Sequence, residues 1–175
     1  MKFILAQQEH LEAMCTITAQ AKAQLKAMGL DQWQKGYPSK EIWKSDIAQQ
    51  TAWLAIDGDE ILGAFAYQTT PDPSYAVIDG KWLTDTPYAS MHRVCVSNRS
   101  KGKGVAGAMF NFGFEMARAS GFTSMRIDTH PDNAPMRRAL EKAGFLPCGN
   151  IILKGGCEDG DLRVAFERIL SPNTL

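Results

Sequence analysis

The sequence predicts an α/β fold: one mixed, largely antiparallel sheet carrying helices on both of its faces. Three observations predict it. Two strand-like runs, 51–56 and 60–68, flank Asp57-Gly58-Asp59, the composition of a hairpin turn. Further on, a strand (88–96), a helix beginning at Val105 and another strand (124–129) follow one another. A crossover of that kind makes its two strands parallel. Finally, residues 145–154 and 162–169 read as a pair of strands joined across 155–161, which restores antiparallel pairing.

The remaining elements fall into place around that frame. Residues 1–4 read as a short strand. Residues 8–28 read as a helix, with Leu11, Met14, Ile17, Ala21, Leu25 and Met28 on one side and Gly29 as its stop. A polar linker, 31–38, holds Trp33 and Tyr37. Ser39 has the chemistry of an N-cap for a second helix through residue 50, with Ile42, Trp43 and Ile47 apolar. A proline-bearing loop (69–74), a strand at 75–78 and a second loop (79–87) lead to the crossover. In the crossover helix Val105, Met109, Phe112 and Met116 recur three or four apart, and Gly121 ends it. A short helix over 133–143 is stopped by Gly144.

A length of 175 residues suits a single domain over 1–175. Nineteen basic residues balance nineteen acidic ones, so no global charge draws the protein to nucleic acid or membrane. No apolar run approaches the ~20 residues of a membrane span. The N-terminus lacks the zones of a signal peptide, and a cytoplasmic location is expected. Cys15, Cys95, Cys148 and Cys157 show no metal-ligand or disulfide spacing, so no metal is expected. Self-association into a homodimer is left open.

The chemistry concentrates at 97–106. A polar, basic turn containing Gly102 and Gly104 opens the crossover helix, with Arg99, Lys101 and Lys103 beside it. Such a turn gathers unpaired backbone N–H groups and the positive end of the helix dipole, a natural seat for phosphate. Gly102-Lys103-Gly104-Val105-Ala106-Gly107 also satisfies the dinucleotide pattern GxGxxG, with Asp128 near the end of the next strand. That alternative, an NAD(P)-binding oxidoreductase, is weakened by the five polar residues between strand and motif. Too little chain also follows Asp128 to complete a doubly wound sheet.

The stretch from Val96 through Lys101 and Gly104 to Ala106 resembles the acetyl-CoA signature of the GNAT N-acetyltransferases, (Arg/Gln)-x-x-Gly-x-(Gly/Ala), with Lys101 in place of Arg or Gln. The block from Asn133 to Gly144-Phe145 resembles the same family's asparagine-to-Gly-Phe helix. The wider pattern, with Gln32-Trp33, Tyr37-Pro38, His92-Arg93 and Arg126-Ile127-Asp128-Thr129-His130, is similar to a bacterial group of GNAT proteins without defined substrates. The resemblance implies a parallel pair splayed around the cofactor, acetyl-CoA. Main-chain groups of Val94 and Val96, flanking Cys95, would bond the pantetheine arm. Lys101, Gly102, Lys103, Gly104, Val105 and Ala106 would cradle the pyrophosphate, and Asn133, Pro135 and Met136 would meet the cofactor from the other side.

The implied reaction is direct attack of a primary amine, of a small molecule or a protein, on the thioester. His92, Asp128 and His130 are the candidates for proton transfer. Trp33, Tyr37, Tyr75 and Trp82 are candidates for an aromatic acceptor wall. The position where the family often carries a tyrosine acid is Leu140. That residue motivates a second reading, a catalytically silent coenzyme A-binding sensor on the same fold.

Overall fold

The computed structural model describes residues 1–171. Eight strands form one sheet, in chain order β1 (Lys2–Leu5), β2 (Ala52–Asp57), β3 (Glu60–Gln68), β4 (Asp79–Gly80), β5 (Ala89–Val96), β6 (Ser124–Thr129), β7 (Leu146–Ile152) and β8 (Leu162–Ile169). Their spatial order is β1-β2-β3-β5-β6-β8-β7-β4. Among the described residues only β5 and β6 pair in parallel; the other neighbours run antiparallel. The helices are α1 (Leu11–Ala27), α2 (Lys40–Ala48), α3 (Val105–Ala119) and α4 (Ala134–Lys142). A sheet with one parallel pair is not doubly wound, which removes the fold that an NAD(P)-binding oxidoreductase would need here.

The pleat of β3 shows how the helices divide between the faces. Ala64 and Ala66 join the core under α1 and α2, with Leu11, Met14, Trp43 and Leu54. Phe65 and Tyr67, pointing the other way, join the core under α3 and α4, with Met109, Phe110, Phe114 and Leu140. Small residues on one side let α1 approach closely, while aromatic ones fill the deeper space beneath α3.

Local chemistry explains most boundaries. Ser39 Oγ accepts from the Ile42 amide at 3.3 Å and starts α2. Asn133 Oδ1 accepts from the Met136 amide at 3.3 Å and starts α4, with Pro135 in the first turn. Residues 8–10 form a 3-10 turn before α1 rather than part of it. The strand expected at 75–78 does not form. Pro73–Tyr75 is a 3-10 turn, because Asp72 Oδ1 accepts from the Ser74 amide at 2.7 Å and commits the backbone to turning. Only Asp79–Gly80 pairs with the sheet, and there Gly80 and Gly149 face each other so closely that a Cβ on either would meet backbone at 2.2 Å.

Candidate active site

The site begins where two strands part. β5 and β6 pair at Ala89↔Met125 and Ser90↔Arg126 and no further. Beyond that point β6 stays with β8 as far as Thr129↔Val164, while β5 stays with β3 as far as Gly63↔Val96. A β-bulge bends β5 away: the step from Ala64 to Ala66 on β3 spans Cys95 to His92 on β5. Arg93 sits in the bulge with a φ of 55°, a left-handed conformation that a non-glycine residue adopts only when held.

Asp46 of α2 does the holding. Arg93 Nε donates to Asp46 Oδ2 at 2.8 Å and Nη2 to Oδ1 at 2.9 Å. The remaining Nη1 donates to the Tyr37 hydroxyl at 2.8 Å, and the guanidinium lies 5.9 Å from the Trp43 ring. Both charges are largely shut off from water, so the pair is held by its fork geometry. Burial pushes the Tyr37 hydroxyl's pKa up, although the Arg93 charge opposes this. The outcome of the bulge is a cleft of about 1290 Å³ that runs through the sheet between β5 and β6.

On the α3 side the cleft is walled by backbone. Gly104 precedes the helix with φ 76°, and among the described residues no side chain caps the first turn of α3. A Cβ at Gly102 or Gly104 would meet no atom within 4 Å, so the turn faces open space. Lys101, Gly102, Gly104, Val105 and Ala106 border the cleft; of the turn residues expected to cradle phosphate, Lys103 does not. Val94, Cys95 and Val96 border it from β5, and Asn133, Pro135 and Met136 from the facing loop and helix. Free amides at a dipole's positive end, glycines leaving room, and two parted strands fit a phosphate-bearing, extended cofactor such as coenzyme A. Lys142 and Arg168, which the sequence reading did not single out, add positive charge to the lining.

On the α1–α2 side the walls are side chains. Asp128, His92, Trp33 and Tyr37 line the cleft as expected. The enclosed Asp128 carboxyl is pushed up to about 6, chiefly by desolvation, and Asp72 and Glu158 act in the same direction. His92 is pushed down to about 4 by burial and by the Arg93 charge, so its ring is neutral at pH 7. Its Nε2 lies 3.0 Å from Ser90 Oγ and 3.6 Å from Asp72 Oδ2.

Three expected residues stand elsewhere. His130, beyond the end of β6, does not border the cleft; its Nε2 pairs with Asp31 Oδ1 at 3.1 Å and its Nδ1 accepts from the Asp132 amide at 3.0 Å. A strand continued through residue 130 would put His130 on Asp128's side, but the strand ends at Thr129. Trp82 covers Arg126 at 4.1 Å, opposite Tyr88, away from the cleft. Tyr75 is 2% exposed and lies behind the wall, not in it.

The structure adds a roof that no local motif announces. Glu158, from the loop between β7 and β8, accepts the Trp33 amide at 2.6 Å and pairs with Arg163 at 3.1 Å. Asn133 Nδ2 donates to Gln32 Oε1 at 3.1 Å. Three loops distant in sequence thus lock over one end of the cleft. Leu140, at the family's tyrosine position, is fully buried in the core beneath α3 and α4 and presents nothing to the cleft.

A mixed sheet split beside an uncapped glycine turn is the architecture of an acyltransferase. The chain belongs to the GNAT acetyltransferase family, whose model, "Acetyltransferase (GNAT) family", matches residues 17–145. It is similar to the crystal structure of a GNAT-family acetyltransferase from Streptococcus agalactiae, with 29% identity, a TM-score of 0.86, and 97% of this chain and 95% of that one covered. A GNAT-family acetyltransferase from Listeria monocytogenes shares the fold at 16% identity and a TM-score of 0.72, covering 97% and 94% of the two chains. The ribosomal-protein-alanine N-acetyltransferase of Brucella melitensis shares it at 14% identity and 0.68, covering 97% and 100%. No curated protein sequence matches the chain. Among the described residues no helix is long and apolar enough to cross a membrane, and no group of three His, Cys, Asp or Glu is placed to hold a metal ion.

Proposed function

We propose that this chain is a single cytoplasmic N-acetyltransferase domain that moves an acetyl group from acetyl-CoA to a primary amine of a small molecule or protein. The observation that carries the reading is the parting of β5 from β6 after Ser90 and Arg126, with the uncapped α3 turn at one end and Asp128 at the other. When bound, acetyl-CoA supplies a thioester carbonyl for the amine to attack, the new C–N bond displacing the thiol.

The protein's own residues prepare that attack. Amides at the start of α3 fix the phosphates, and the open edge of β5 from Met91 to Val96 offers main-chain partners to an extended arm. A primary amine arrives as its ammonium form at neutral pH and must lose a proton before its lone pair is available. Asp128, ionised above about pH 6 and lining the cleft, takes that proton. His92 stays neutral and holds the wall beside Asp72. Trp33 and Tyr37 give the acceptor's body an aromatic surface.

Release of free thiol from acetyl-CoA, measured with a panel of primary amines, tests the reading; turnover above hydrolysis for at least one amine is expected. The buried Leu140 favours a second reading, a coenzyme A-binding sensor without turnover. Coenzyme A raising the melting temperature while no amine in the panel releases thiol would favour the sensor.

A further inference from the structure

Tyr75 is a buried titratable group that the reaction as outlined leaves unused. Its hydroxyl donates to Asp128 Oδ2 at 2.7 Å, across 53 residues of sequence. Burial and the neighbouring carboxylates push its own pKa far up, so it stays a neutral donor at any working pH. The ring cannot swing away. It is flanked by Trp82 at 5.3 Å, Tyr88 at 6.0 Å and His92 at 6.0 Å between ring centres. Trp82 Nε1 donates to the Tyr75 carbonyl at 3.0 Å, and the Asp72 amide at the head of the turn donates to the Tyr88 hydroxyl at 2.9 Å.

Asp128 is therefore tethered by one oxygen only. Among the described residues no protein donor reaches Oδ1, and that atom is not among the fully buried unpaired ones. One oxygen is fixed behind the wall, and the other is left for whatever enters the cleft.

We propose that Tyr75 is a positioning residue that fixes the Asp128 carboxylate for proton removal from the acceptor amine; this rests on the reading of Asp128 as the base. The hydrogen bond does two things at once. It locks the carboxylate plane, and it favours the charged form of a group that desolvation otherwise drives toward protonation. Around Asp128, Asp72 and Glu158 raise its pKa, Arg163 and Tyr75 lower it, and His92 is neutral. Without the tyrosine hydroxyl the balance tips toward the protonated acid, and a higher pH is needed to recruit the base.

The test is Tyr75→Phe, which keeps the ring and its packing and removes only the donor. The Asp128 carboxyl is titrated by carbon-13 NMR in the protein without cofactor, and the pH profile of kcat/KM for the best amine is measured alongside. In the wild type the carboxyl is expected to titrate at about 6. In Y75F the midpoint and the acid limb of the profile move up together by about one to two pH units, the worth of a hydrogen bond to a charged group. An Asp128 titration that does not move in Y75F overturns the proposal outright. A titration that moves while Asp128→Asn keeps full turnover overturns the catalytic half, and does so through Asp128, not Tyr75.

Discussion

The two ends of the cleft are built from different materials. At the α3 end the contacts on offer are mainly backbone amides and open glycines of one short stretch, Lys101, Gly102 and Gly104 to Ala106, with 94–96 beside it and Lys142 and Arg168 adding charge. At the α1–α2 end they are side chains from five separate segments: Trp33 and Tyr37, Asp72, His92, Asp128 and Glu158. A backbone cradle tolerates substitution in its side chains and fails when its dihedrals change. A side-chain constellation fails with the loss of a single group, and its chemistry changes with pH. The contrast teaches where each class of substitution should bite.

The largest expected effect is at the side-chain end. Asp128→Asn retains the shape of the wall and the hydrogen bond from Tyr75, yet cannot accept a proton. Loss of a positioned general base lowers kcat/KM by about 10² to 10⁴-fold. Coenzyme A affinity, measured by calorimetry, should stay within about twofold, because the amides at the other end are untouched. The sign of the pH dependence follows from the raised carboxyl. The base works only when ionised, so wild-type kcat/KM rises through about pH 6 and is lost as pH falls below it. D128N abolishes that limb. A cofactor affinity that collapses together with turnover would break the proposed division of labour.

Gly104→Ala reverses the pattern. Gly104 has φ 76°, where an L residue costs roughly 1–2 kcal/mol, although its Cβ would meet no atom within 4 Å. The strain is met by lower stability or by a turn that shifts its amides. We expect coenzyme A binding to weaken by about tenfold or the melting temperature to fall by several degrees. The pH at half-maximal kcat/KM, set by Asp128, should not move. A shifted acid limb in this variant would show that the two ends are coupled.

The same contrast governs what could be read from sequence. Strands β3, β6 and β8 and the start of α3 follow from period, hairpin composition and glycine placement, all local signals. The glycine turn bordering the cleft is legible for the same reason, since its parts are consecutive. The α1–α2 end is legible only in fragments. Asp128 and His92, which line the cleft, are legible because the strands that carry them are. Glu158 is not, because its partner Trp33 lies 125 residues away and nothing near it marks a roof. Composition points to Tyr75 and Trp82 as wall residues, but Asp72 caps a turn that folds Tyr75 behind the cleft, and Trp82 covers Arg126. The Asp46–Arg93 pair that holds the bulge spans 47 residues, so no local signal joins its partners.

Lys101 sharpens the comparison with the smallest effect. It occupies the position where the family signature carries Arg or Gln, and its side chain is exposed at the cleft's rim. If backbone amides carry the phosphate, a surface cation adds only a screened attraction of at most about 1 kcal/mol. Lys101→Gln should therefore weaken coenzyme A by less than about fivefold at low salt, a difference that fades as ionic strength rises. A neutral residue satisfies the signature equally well under that logic. Calorimetry of K101Q at two salt concentrations checks it. A loss greater than about thirtyfold that persists in high salt would mean a direct, desolvated ion pair, and the α3 end would then depend on side chains just as the acceptor end does.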